Sequence, residues 1–133
     1  MSLSFHINFN GQCEEAFGFY AEHLGGKIGT MLRFKDSPVP ASSEAHGLMI
    51  VHANIRIEGV ELAGTDVDPD RYEIPKGFCV LLGVDSEDKV KSYFNALQAG
   101  GTVVLAPQRT FFSPCYAIVT DRFGVPWKIN YGA

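Results

Sequence analysis

The chain has 133 residues, of which 46% are hydrophobic and 20% charged, with a formal net charge of −4. That is enough apolar material for one globular domain, with no apolar run near the roughly 20 residues a membrane span needs. The scattered cations Lys76, Lys89 and Lys91 form no basic patch for a phosphate backbone, so neither a nucleic acid nor a membrane is expected as partner. The opening "MSLSFHINFN" has no basic region followed by a continuous apolar run, so no secretory signal is expected. Three widely spaced cysteines, Cys13, Cys79 and Cys115, suit a reducing cytoplasm better than a disulfide framework.

In chain order, residues 5–10 alternate Phe5, Ile7 and Phe9 with His6, Asn8 and Asn10, the period-two pattern of a strand with one apolar face. A helix is expected over 12–24, with Cys13, Ala16, Phe17, Tyr20 and Leu24 on one stripe and Gly25 as its left-handed stop. A strand over 27–34 follows, then a loop rich in Ser, Pro and Ala that reads as mobile. Residues 48–57 form a third strand, and Glu58-Gly59 turns it into a fourth over 60–65. The prolines and charges of 67–76 mark a linker. The second half then repeats the order: a strand over 78–84, a helix capped by Asp85 or Ser86, and strands over 102–107, 115–121 and 126–131. Phe19 with Gly25-Gly26 recurs 75 residues later as Phe94 with Gly100-Gly101.

The fold expected is therefore α+β: two tandem βαβββ modules, about 1–66 and 77–133, in one domain over 1–133. Each module is too small to bury its own apolar face, so the copies should pair as a curled mixed sheet around a cavity.

The segments "FNGQCEEAFGFYAEHLGG", "HANIRIEGVELAGTD" and "VTDRFGVPWKIN" resemble the PhnB-like branch of the vicinal oxygen chelate superfamily, the glyoxalase and bleomycin-resistance group. The resemblance covers nearly the whole chain. It implies helices outside, a cavity lined by the strands, and a homodimer. Many relatives hold a divalent metal there; others, including bleomycin-binding proteins, bind small organic ligands without one. Some PhnB-like sequences carry a methyltransferase label, yet no glycine-rich loop follows a Rossmann-type strand in this sequence.

In metal-dependent relatives, ligands come from the first strand of each module and from its closing strands. Parity turns His6, Asn8 and Cys79 toward the cavity. On the fourth strand either Glu61 and Ala63 or their neighbours face inward, and analogy with the last strand favours Glu61 and Ala63. The family's acidic ligand on the last strand falls four residues after the turn glycine, and four after Gly124 is Lys128. A fixed ammonium repels a dication and offers no lone pair. No cofactor is therefore expected, and a metal held by His6, Glu61, Cys79 or His52 is the disfavoured alternative.

The preferred reading is a metal-independent protein that binds a small organic molecule through His6, Asn8, His52, Asn54, Glu61, Cys79, Lys128 and Asn130, with Phe112 at the rim. The alternatives are a metal-dependent lyase, isomerase or dioxygenase-type enzyme, and a partner-binding protein with a vestigial cavity. Lys128 could hold a carboxylate or phosphate, or form an ion pair with Glu61. His6 and His52 could be general bases or pocket lining. Cys79 reads as a small buried hydrophobe sooner than as a nucleophile, and Trp127 reads as core. Phe111, Phe112 and Tyr116, around Ser113-Pro114, read as better ligand candidates, and Phe112-Ser113 stands where PhnB-like relatives usually carry Trp-Gly. No Walker loop, GxSxG or HExxH is present.

Overall fold

A computed structural model describes residues 1–132. The chain forms two compact units, one over Met1–Glu73 and one from Ile74 on.

The first unit contains β1 (Phe5–Phe9), α1 (Cys13–His23), β2 (Lys27–Arg33), a 3-10 turn (Phe34–Asp36), α2 (Glu44–Leu48), β3 (Ile50–Ile57) and β4 (Val60–Asp66). Its sheet has the order β1-β4-β3-β2, with β1 parallel to β4 and the other pairs antiparallel. The second unit runs β5 (Val80–Val84), α3 (Glu87–Gln98), β6 (Thr102–Gln108), β7 (Cys115–Thr120) and β8 (Pro126–Tyr131), in the order β5-β8-β7-β6. The two orders are identical after adding four to each strand number, so the duplication read in the sequence is a duplication of topology. Hydrogen bonding divides the strands into two four-stranded mixed sheets.

Helix α1 buries Cys13, Ala16, Phe17 and Tyr20. Phe17 meets the edge of Phe9 with ring centroids 5.8 Å apart. Burying each such side chain fully contributes about 1.5–3 kcal/mol. Gly64 on β4 makes the close approach possible, because a Cβ there would lie 2.8 Å from the Phe17 ring and 3.2 Å from the Cys13 sulfur. The helix ends where Leu24 and Gly26 both donate their N–H to the Tyr20 carbonyl and Gly25 takes a positive φ of 66°. Helix α3 packs on β5, β6, β7 and β8 through buried Val90, Phe94 and Leu97. Ser86 caps it, its hydroxyl accepting from the Lys89 N–H at 3.1 Å.

The turns fit their sequences. Glu58 (φ 49°) and Gly59 (φ 77°) give two consecutive left-handed residues, the two-residue hairpin geometry that follows the twist of β3 and β4. The β7–β8 turn is built on Asp121. One carboxylate oxygen accepts from the N–H groups of Phe123 (2.9 Å) and Val125 (3.0 Å), and the other from the Trp127 indole N–H (2.9 Å). Trp127 is core, as its parity implies, and is fully buried.

Two boundaries differ from the sequence reading. The segment read as a loop contains the 3-10 turn and α2, because the Ser43 hydroxyl accepts from the His46 N–H at 3.0 Å and starts a short helix. Leu48 therefore ends a helix, and β3 begins at Ile50. In the second unit β5 begins at Val80, which leaves Phe78 and Cys79 ahead of the strand.

Candidate functional site

Each sheet has one face against its helix and one away from it. In the first unit Ile7, Leu62, Gly64, Ala53 and Ile55 take the helix side. Alternation then puts His6, Asn8, His52, Asn54, Glu61 and Ala63 on the other. His6 lies opposite Ala63, and Asn54 opposite Ala63 from the other side, so one row reads His6–Ala63–Asn54. Asn8 lies opposite Thr65, and Glu61 opposite Arg56.

His6, Asn8 and His52 are exposed, whereas Glu61 and Asn54 are half-buried. The Asn54 carboxamide is already engaged: its oxygen accepts from the Thr30 N–H at 2.8 Å. That bond staples β3 to β2 where their register slips between Ile28 and Met31. It also closes the space over Gly29, since a Cβ there would collide with the Asn54 Oδ1.

In the second unit the equivalent rows are Leu81–Lys128–Ile118 and Gly83–Asn130–Tyr116. The register makes Lys128 the counterpart of Ala63, and Leu81 the counterpart of His6. Lys128 is half-buried and has no ion-pair partner among the described residues. Asn130 is half-buried too, yet its Oδ1 is shut off from solvent with no hydrogen-bond partner. Tyr116 is 9% exposed and packs edge-on against Phe112, with centroids 4.9 Å apart. Phe112 in turn meets Phe111 at 5.1 Å. Both phenylalanines are exposed, Phe111 fully.

Ser113 fixes this aromatic loop. Its hydroxyl shares one proton between the carbonyls of Cys115 (2.9 Å) and Tyr131 (3.0 Å) and accepts from the Cys115 N–H at 3.2 Å, while its own carbonyl accepts from the Thr110 N–H at 2.9 Å. Sequence reasoning did not single out Thr110, whose Oγ1 is the second buried polar atom left without a partner. Nothing in its sequence surroundings signals that role.

Within a single unit the candidate donors do not converge. Within the first unit His6 and Glu61 lie on adjacent strands two positions out of register, and His52 is two strands from His6, roughly 10 Å across the sheet. Within neither unit do three or more His, Cys, Asp or Glu among the described residues gather to hold an ion. Cys79, half-buried before β5, carries a free thiol, as do the buried Cys13 and Cys115. Burial pushes both buried thiols up, Cys13 helped by the Asp66 carboxylate and Cys115 by Glu87, so both are poor nucleophiles.

Asp66 is the most constrained ionisable group in the first unit. Its carboxylate accepts from the N–H groups of Cys13 and Ile50, each at 2.9 Å, and from that of Gly11. It thereby supplies the cap that Gln12 does not give α1. Burial raises its pKa, and the backbone donors oppose the rise.

A family model described as 3-demethylubiquinone-9 3-methyltransferase matches residues 2–130. The chain belongs to that family. It is 32% identical to protein YjdN of Escherichia coli K12, over 98% of this chain and 95% of that one. The crystal structure of protein PA1353 from Pseudomonas aeruginosa matches with a TM-score of 0.90 and 39% identity, covering 98% of this chain and 97% of that one. A PhnB protein from Bacillus cereus, described as a putative 3-demethylubiquinone-9 3-methyltransferase, gives a TM-score of 0.84 at 19% identity over 99% and 100% of the two chains. A glyoxalase/bleomycin resistance protein/dioxygenase family enzyme from Burkholderia phytofirmans gives 0.66 at 15% identity over 98% and 97%. The fold of this PhnB-like chain is thus that of the vicinal oxygen chelate superfamily. No helix among its described residues is long and apolar enough to cross a membrane.

Proposed function

We propose that this PhnB-like chain is a small-molecule-binding protein that works without a metal, in the cytoplasm and as a homodimer. The observation that carries the reading is Lys128. A half-buried ammonium with no internal partner among the described residues stands on the β8 face away from α3, one row from an unpaired carboxamide. A cation held in that way favours an anionic group of a ligand and opposes a divalent ion beside it.

The methyl transfer named in the family's description is not assigned to this chain. Dinucleotide-like cofactors bind where a parallel strand opens into a glycine-rich loop and a helix. Each sheet here has one parallel pair, and β1 passes into α1 through Asn10-Gly11-Gln12, where the helix N-terminus is occupied by Asp66.

A homodimer is supported by the apolar side chains exposed along β6 and its connection, Val103, Val104, Phe111 and Phe112. Three free thiols fit a reducing compartment. The test of the reading is a screen of organic anions by thermal unfolding, with and without chelator. Stabilisation by at least one compound, unchanged by chelator, is expected; no stabilisation across the screen, or stabilisation abolished by chelator, ends it.

A further inference from the structure

Two buried polar atoms lack partners among the described residues, Asn130 Oδ1 and Thr110 Oγ1, and both lie in the second unit. The register and the Ser113 bonds bring their residues to one end of the sheet. Asn130 sits opposite Tyr116, Tyr116 opposite Gln108 at the end of β6, and Thr110 follows two residues later. On its other side Asn130 faces Gly83, which is exposed and has no side chain. These rows bring together backbone at Gly83, a carboxamide at Asn130, the Tyr116 ring with Phe112 against it, and a cation at Lys128.

An orphaned buried acceptor is costly, and a ligand's donor is one way to satisfy it. The carboxamide torsion of Asn is broad, so a small rotation can present Oδ1 to a donor lying over Gly83. Lys128 and Asn130 are two residues apart on one strand face, their Cα atoms about 6.7 Å apart. Resting on the small-molecule reading above, we infer that these groups form a slot for a planar hydroxylated aromatic carboxylate. The carboxylate meets Lys128 Nζ, the ring lies over Gly83 against the aromatic edges, and a hydroxyl across the ring donates to Asn130 Oδ1. In 4-hydroxybenzoate the anion and the donor stand at opposite ends of one ring, and the flexible lysine stem can adjust to their spacing.

Isothermal titration calorimetry tests this with 4-hydroxybenzoate, benzoate and phenol on the full chain and on Asn130→Leu and Lys128→Met. The wild type is expected to bind 4-hydroxybenzoate at least about tenfold more tightly than either probe lacking one group. Asn130→Leu should erase the preference over benzoate while leaving benzoate binding intact, and Lys128→Met should erase the preference over phenol. Without ligand, Asn130→Leu should raise Tm by roughly 2–6 °C, because it removes the orphaned oxygen. Should the leucine not fold, Asn130→Ala with the same three probes gives the same affinity readout. Equal binding of all three probes, no binding of any, or full discrimination in the Asn130 variants overturns the assignment. If another compound in the thermal screen still stabilises the protein, small-molecule binding survives that result; if none does, both readings fall.

Discussion

The two units share one topology and spend their polar side chains in opposite ways. In the first, polar groups on and around the sheet serve the fold: Asn54 staples a register slip, and Asp66 ties together the starts of α1 and β3. In the second, the fold is held from the turn by Asp121 and from the loop by Ser113, and the face away from the helix keeps Lys128 and Asn130 uncommitted. A duplicated module needs only one copy to keep its original packing logic. The other can carry unsatisfied groups so long as its turn and loop hold it, and the second unit has that arrangement.

The largest expected effects come from the two carboxylates. Asp66→Ala strands the buried N–H groups of Cys13 and Ile50 and that of exposed Gly11, and Asp121→Ala strands three buried donors, so each should lower unfolding stability by about 2–4 kcal/mol in urea titrations. A loss under 1 kcal/mol for either would break the claim that each unit is pinned by one acid. Asp66 also carries a pH response. The folded Asp66 carboxyl has a raised pKa, so the folded state binds the extra proton in the window just above the ordinary carboxylate range. Its contribution is complete below the unfolded pKa and is lost as pH rises through the folded one. The stability difference between wild type and Asp66→Asn should therefore shrink with rising pH across that window. A difference that grows would reverse the sign.

Smaller effects sharpen the contrast. Asn54→Ala should cost about 1 kcal/mol, the value of one backbone hydrogen bond to a side chain. It should also leave binding of organic anions unchanged, since its carboxamide is committed to Thr30. A loss of binding without a loss of stability would return Asn54 to the ligand site. Ser86→Ala should cost about 1 kcal/mol through the α3 cap, again without touching binding.

Much of this was legible in the sequence. Alternation put His6, Asn8, Lys128 and Asn130 on the face away from the helices, because a strand's period of two leaves no freedom once Ile7 and Ile129 are core. The 75-residue echo gave the repeated topology. The turn glycines carried the equivalence of the closing strands too: Ala63 and Lys128 each stand four residues past one, Gly59 and Gly124, and the parallel pairs β1–β4 and β5–β8 keep that match. What the pattern could not give was partnership. Asn54 and Asn130 look alike as polar residues on a strand face, yet a neighbouring bulge occupies one carboxamide and leaves the other bare. Helix α2 was hidden because five residues are too few to show periodicity, and the cap at Ser43 was its main signal.

The absence of a working metal is the claim on which the ligand chemistry of the second unit turns, and elemental analysis of protein purified without chelator tests it most directly. Far less than one equivalent of any divalent metal per chain is the predicted result. One tightly held equivalent, released when His6 or Glu61 is replaced by alanine, would contradict it.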